Sequence, residues 1–328
     1  MNKPAAYRPN ILVTSVFHLA CVNHLWFTEN MIITVDENDE KRLDSFLSEI
    51  TDFSRSKIQS LIKSGDIKIN ETIKKPSYIL KEGDKIDFEI SEAQTLKIQP
   101  QNIPLEIIYE DENMLVVNKP SGMLTHPTTI ERENTLVNAL LYKYSENLSD
   151  INGEYRRGIL HRLDRNTSGL LMIAKNNKTH EFLAEQIKNH KITKKYRAVV
   201  KGIIKEDEFE INAPIGRNPN QPHKMMIKND GKPSKTIVKV LERFKEHTFV
   251  ELTLITGRTH QIRVHMKYIN HPVYNDTLYG AGQGKVKTDE QVLQSYYLRF
   301  TKPFEDEIIE LEIKPDDKTE KVLKYLRS

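Results

Sequence analysis

The densest run of polar chemistry in the chain is Arg156-Arg157-Gly158-Ile159-Leu160-His161-Arg162-Leu163-Asp164-Arg165-Asn166-Thr167-Ser168-Gly169. It lies between a short apolar step at Ile159 and a strand-like run from Leu170, which predicts a loop leaving a sheet, where functional side chains are commonly carried. Asp164 is flanked by Arg162 and Arg165. A nearby guanidinium keeps a carboxylate ionised even where water is scarce, and an ionised, poorly hydrated carboxylate can act as a nucleophile or a general base. The same spacing also fits a plain loop ion pair, with Asp164 capping the next turn. A second cluster, Thr256-Gly257-Arg258-Thr259-His260-Gln261-Ile262-Arg263-Val264-His265, runs from a strand into a helix, with Ile262, Met266 and Ile269 sharing a helical face. Arg258 and Arg263 then fall near the helix start, either in reach of a carboxylate from another loop or on a solvated face. In a third, Lys194-Lys195-Tyr196-Arg197-Ala198, Tyr196 opens a strand, placed to stack on a base or to fill the core.

The chemistry these clusters offer needs no cofactor. Gly280, Gly282 and Gly284 lack the strand-to-helix context of a phosphate loop, and no Gly-x-Ser-x-Gly elbow occurs. His260, His265 and His271 have no acidic residue among them at ligand spacing, so no metal site is expected. A single cysteine, Cys21, excludes an intramolecular disulfide or a cysteine-based zinc site and fits a reducing cytoplasm. No run reaches the roughly 18 apolar residues of a spanning helix. The nearest, residues 11–27, carries Thr14, His18, Asn23 and His24, so no membrane partner is expected.

The 328 residues suffice for two domains. The net charge of +3 is a weak argument for nucleic acid, but six basic residues (Arg55, Lys57, Lys63, Lys68, Lys74, Lys75) stand against Asp66 and Glu71 over 55–75. Five more stand against Asp230 alone over 217–235. Such clusters suit a phosphate backbone or a solvated surface. A small unit begins at Met31 with a strand at 31–35. A helix follows at 41–50, then another at 55–64 between a Ser54 cap and a Gly65 stop, then strands at 67–70 and 85–90. Residues 92–104, with Gln94, Gln99, Pro100, Gln101 and Pro104, read as a linker. Beyond it, strand-like runs at 105–109, 114–118, 170–174, 196–201, 236–241, 249–255 and 308–313 outnumber helical patterns at 135–144, 178–189, 259–269 and near 320–326. This predicts an α+β catalytic domain on a mixed, largely antiparallel sheet with flanking helices, plus a small N-terminal α/β module.

The small unit resembles the αL RNA-binding module, the S-four-like domain, through Arg42-Leu43-Asp44, Ser54-Arg55-Ser56-Lys57 and Leu61-Ile62-Lys63-Ser64-Gly65-Asp66-Ile67-Lys68-Ile69-Asn70. That resemblance implies RNA contact through Arg55, Lys57 and Lys63. His161-Arg162-Leu163-Asp164 with Thr167-Ser168-Gly169-Leu170-Leu171, the spacing to Tyr196, the 256–265 cluster and Val117-Asn118-Lys119-Pro120-Ser121-Gly122-Met123-Leu124-Thr125-His126-Pro127 are together similar to the RluA-type family of RNA pseudouridine synthases. The resemblance implies isomerisation of flipped-out uridine without a cofactor. In it Asp164 is the nucleophile, Tyr196 stacks on the base and Arg263 pairs with Asp164. Val264 packs near the base, and Arg162 fills the vacated stack. Arg165 and Arg258 join the RNA contacts, and the 217–235 span grips phosphates. The αL module and the wording Gly158-Ile159-Leu160-His161-Arg162-Leu163-Asp164 look most like members acting on large-subunit (23S) ribosomal RNA, with transfer RNA as the alternative and a non-catalytic RNA binder as the rival outside enzymes. A cytoplasmic monomer is expected.

The organisation so read is residues 1–30 as an extension outside the native fold, 31–91 as the RNA-binding domain, 92–104 as linker and 105–328 as the catalytic domain. Intact-mass analysis of the protein from its source cells is expected to give a chain starting at Met31, and a mass matching all 328 residues overturns that start.

Overall fold

The computed structural model describes residues 31–35, 41–51, 55–88, 98–128, 130–145, 147–280, 282–288 and 290–328. The 1–30 extension and the Ser54 cap lie outside the described residues. The chain divides into two compact units between Lys97 and Ile98.

In the first unit, β1 (Met31–Thr34), α1 (Leu43–Ile50), α2 (Arg55–Ser64), β2 (Ile67–Ile69) and β3 (Lys85–Phe88) form two helices on an antiparallel sheet of order β1-β3-β2. Leu43, Phe46 and Leu47 recur at helical spacing, as do Ile58, Leu61 and Ile62, so each helix buries one stripe against Ile67, Ile69 and Ile86. Asp44 is fully buried and takes bonds from Arg42, Arg55 and Gln59, which ties α1 to α2.

The second unit holds β4 (Glu106–Glu110), β5 (Met114–Lys119), α3 (Leu136–Tyr144), β6 (Ser168–Ala174), α4 (Asn177–Lys188), β7 (Thr193–Lys201), β8 (Glu208–Asn212), β9 (Ile215–Arg217) and β10 (Met225–Ile227). It continues with β11 (Lys235–Arg243), β12 (His247–Leu254), α5 (Gln261–Tyr268), β13 (Leu293–Thr301), β14 (Ile308–Glu312) and α6 (Asp317–Arg327). The segment from 98 to 104 also belongs to this unit rather than to a linker: Ile98 is buried, Gln101 N–H donates to the Asn138 carbonyl, and Asn138 Nδ2 donates to the Gln99 carbonyl.

The main sheet runs β4-β5-β6-β13-β7-β12-β11-β8, with β14 also on β13. Every described pairing in it is antiparallel except β6 with β13. One face carries Leu115, Val117, Leu171, Ile173, Ala198 and Val200 against α3 and α5. The other carries Met114, Val116, Leu170 and Met172 against α4, and Val199 against α6. Covered on both sides, β6 is buried at every position, which is why it reads as an unbroken apolar run. β9 and β10 form a separate ribbon clamped to α5 by Ile215, Met225, Ile227, Val264 and Tyr279. The strands β8, β9, β10 and β13 were not foreseen from periodicity.

The sheet forks at β13. Gln294 and Ser295 pair with β6, but residues 297–301 pair with β14 instead. At the fork the backbones close on Gly169, where φ is +116° and an added Cβ would stand 2.0 Å from the Ser295 carbonyl oxygen. No side chain fits there. Gly169→Ala is expected to cost about 3 kcal/mol or more in urea unfolding. Gly257→Ala, whose Cβ would meet only Lys194 Nζ at 3.7 Å, should stay close to the parent. Equal midpoints for the two variants would sink this account of the fork.

Candidate active site

Asp164 sits on the loop entering β6, and that loop is held mainly by its carbonyls. Lys119, fully buried at the end of β5, donates to the carbonyl oxygens of Pro120 (2.8 Å), Met123 (2.8 Å) and Arg165 (3.0 Å). Burial pulls Lys119 down to about 7, while three carbonyl acceptors for its three N–H groups favour the charged form. Thr125 donates to the Leu163 carbonyl, Gly122 N–H to that of Arg165, and Ser121 to that of Asn166. The run from Val117 to Pro127 is thus the clamp for the Asp164 loop.

Opposite the loop, β12 ends and α5 begins. Gln261 fastens this junction: its Oε1 accepts from Thr256 Oγ1 and Arg258 N–H, and its Nε2 donates to the Lys235 carbonyl and Thr236 Oγ1. Two residues on, Arg263 donates through Nε and Nη2 to the two oxygens of Asp276 at 2.7 and 2.9 Å. Its Nη1 donates to Asp164 Oδ2 at 3.2 Å. The Arg263 side chain is 7% exposed, Asp276 is 0% and Asp164 is 18%. Burial alone would lower Arg263, but the bonds and charges of Asp276 and Asp164 raise it. Removing one partner from such a buried pair typically costs about 3–5 kcal/mol.

Asp164, Gln261 and Arg263 line a cavity of about 500 Å³ with Arg162, Tyr196, Leu254, Arg258, His260 and Leu293. That is ample for one nucleotide. Asp164 is the sole carboxylate on its described lining, among Arg162, Lys188, Lys194, Arg258 and Arg263. Tyr196 is 6% exposed, and burial pushes its phenol up to about 12, with Ser295 opposing and the Asp164 charge adding. It therefore holds its proton near neutral pH.

Asp164, Tyr196, Arg263, Arg162 and Arg258 are brought together as the sequence led us to expect. Others are not. Val264 is 4% exposed and packs with Ile215 and Tyr279 under the β9–β10 ribbon, away from the cavity lining. Arg165 pairs with Glu131, so neither flanking arginine makes the described bond to Asp164; Arg263, 99 positions along the chain, makes it. In the first unit Arg55 pairs with Asp44, Lys63 is exposed, and the Lys57 side chain lies outside the described residues. Asp276 was not singled out in the sequence, and Lys119 and Lys194 stood there only as members of their motifs, with no role of their own. Lys194 shares the Tyr196 face of β7 and lines the cavity with no described hydrogen-bond partner. The doublet of lysines before Tyr196 was its only signal. No cluster of metal-binding side chains occurs among the described residues, and no described helix is long and apolar enough to cross a membrane.

Comparison with known proteins places this geometry in context. The family model described as RNA pseudouridylate synthase matches residues 113–268, and the S4 domain model matches 41–86. The chain is 42% identical over 291 residues to the uncharacterized RNA pseudouridine synthase YlyB of Bacillus subtilis, covering 88% of this chain and 95% of that protein. It is 39% identical over 273 residues to ribosomal large subunit pseudouridine synthase D of Zymomonas mobilis, covering 82% and 84%. Among solved structures, human RNA pseudouridylate synthase domain containing 1 aligns with a TM-score of 0.53 at 27% identity, over 70% of this chain and 96% of that one.

His161, within the matched span, has a structural task. Its Nε2 accepts the Met172 N–H at 3.1 Å, filling the place beside β6 that β13 vacates at the fork. Burial pulls its imidazole down to about 3, and Lys194 adds repulsion. The unfolded imidazole gains its proton below about 6.5. Between these values the unfolded state binds more protons, so stability falls as pH drops through that window. His161→Gln keeps an acceptor without titrating and should lose less stability than the parent between about pH 7 and about pH 5 in urea unfolding. An equal loss would remove His161 from this role.

Proposed function

This chain belongs to the RluA-type family of RNA pseudouridine synthases, and on that premise we propose that Asp164 is its nucleophile and large-subunit (23S) ribosomal RNA its substrate. The enzyme isomerises uridine within RNA. The bond from ribose C1′ to N1 breaks, one from C1′ to C5 forms, C5 loses its hydrogen and N1 gains one, so the formula is unchanged. A paired uridine must first leave the stack, at a cost of a few kcal/mol.

The observation that carries the assignment is Arg263 held between Asp276 and Asp164. It ties the Asp164 carboxylate to a guanidinium at the wall of a cavity whose other described charged groups are cations. Tyr196 forms the wall on which the flipped base stacks, and its retained proton makes it a donor rather than a phenolate base. Arg162, exposed on the cavity lining, is placed to fill the space the base leaves. Arg258 and the basic 217–235 segment meet phosphates. The ribosomal target draws support from the names of relatives such as the Zymomonas mobilis protein and from the S4 domain. The lone Cys21 fits a reducing cytoplasm.

Asp164→Asn should lower tritium release from ribosomal RNA labelled at uracil C5 by about 1,000-fold or more while RNA binding stays within about 3-fold. Turnover near the parent level would remove Asp164 from the role. Pseudouridine mapping of total RNA from cells lacking the gene should lose sites in 23S RNA, and losses confined to transfer RNA would overturn the target but not the chemistry.

A further inference from the structure

A carboxylate anchored through one oxygen can still swing about its own axis and exchange which oxygen faces the substrate. Arg263 anchors Asp164 through Oδ2. The other oxygen, Oδ1, faces His260, whose Nε2 stands 3.9 Å away. That is too long for a hydrogen bond, but it lies within about 1 Å of one, and catalytic contacts commonly tighten only when substrate fills the site.

The imidazole is held by unusual means. His260 is the residue before α5 and adopts a left-handed backbone with φ 55°, a conformation uncommon outside glycine. Its side chain does no capping; Gln261 Oε1 accepts the Arg258 N–H instead. The ring meets the Tyr279 ring edge-on, at 5.7 Å and 82°. Tyr279 Oη accepts the Met225 N–H at 2.9 Å and lies 2.8 Å from His260 Nδ1. Among the described contacts, Nδ1 is the acceptor that stands within reach of the phenol's one proton, and we assign the bond in that direction. A neutral imidazole then carries its hydrogen on Nε2, toward Asp164. Burial lowers His260, Asp164 opposes this, Arg263 adds to it, and Asp276 and Arg162 make smaller opposed contributions. Burial pushes Tyr279 up to about 12, so it remains a donor.

We propose that His260 is a positioning residue whose Nε2–H pins the second oxygen of Asp164, and that its tautomer is set from the β9–β10 ribbon through Met225 and Tyr279. The proposal rests on Asp164 being the nucleophile. It links the ribbon at the head of the basic 217–235 segment to the reacting carboxylate by three successive contacts.

The test compares His260→Ala, His260→Gln, Tyr279→Phe and Asp164→Asn with the parent by pseudouridine formation on 23S RNA. His260→Ala should lower kcat about 30- to 100-fold with KM within about 3-fold, as for a misplaced reacting group. His260→Gln offers an amide N–H near the same point and should regain about tenfold of that loss, with Tyr279→Phe in between. An unimpaired His260→Ala, a glutamine no better than alanine, or a loss in KM alone overturns the proposal. An inactive Asp164→Asn beside an unimpaired His260→Ala overturns this proposal alone; an active Asp164→Asn overturns the nucleophile and this proposal together. Nitrogen-15 spectra of histidine-labelled parent protein test it without any variant: His260 should carry its proton on Nε2 near neutral pH, and a proton on Nδ1 refutes it.

Discussion

A guanidinium has five N–H donors in a rigid fork and no acceptor, so it can serve two carboxylates at once. Arg263 does so, with two bonds to Asp276 and one to Asp164. Asp276 is wholly buried and also accepts the Tyr279 N–H, so the arginine has a fixed abutment and cannot lean away toward water. Everything else in the catalytic unit can be seen as delivering three segments to that point: the loop before β6, the first turns of α5, and the 276–279 turn. The burial of this cluster is also what makes it fragile, because any member left alone would be a buried charge.

Delivery depends on the sheet. β6 brings the Asp164 loop, β7 brings Tyr196, β12 leads into α5, and β13 lies between β6 and β7. The parallel contact between β6 and β13 spans only Ser168 and Gly169, because β14 then takes over the edge of β13. The short contact lets backbones come close enough to need Gly169, and the gap beyond it is filled by His161. Lys119 reaches the same place from β5, spending all three donors on carbonyls. The conspicuous motifs therefore divide into residues that face the cavity and residues that hold the loop, and their sequence spacing does not distinguish the two.

Most strands of the catalytic domain and its four main helices were legible from their apolar patterning, a helical period in the helices and, in β6, an unbroken run. β13 was not. Gln294 and Ser295 are buried there with their polar groups bonded to Lys314 and Leu170 carbonyls, and a bulge at Tyr296 breaks the alternation. Those partners lie far along the chain, so no local window contains the reason for the strand. The site was legible in the same uneven way. Asp164, Tyr196 and Arg263 could be named, but the nearest arginines in sequence proved not to be the nearest in space. The tasks of His161, Asp276 and Tyr279 exist only through a gap, an abutment and a ribbon that folding creates. Val264 shows the converse: the family resemblance implied a place near the base, yet its side chain fills the seam between helix and ribbon.

The strand order also has a consequence in time. β13 ends 100 residues after β7, at Thr301 against Lys201, yet it is inserted between β6 and β7. At ordinary synthesis speeds of about 5–20 residues per second, those two strands wait roughly 5–20 s for the one that joins them. During that interval two long strands, one of them largely apolar, present bare edges of the kind that invite pairing with other chains. The first unit, with its own core, is complete well before then. A nascent chain thus acquires its RNA-binding module early and its catalytic frame almost last.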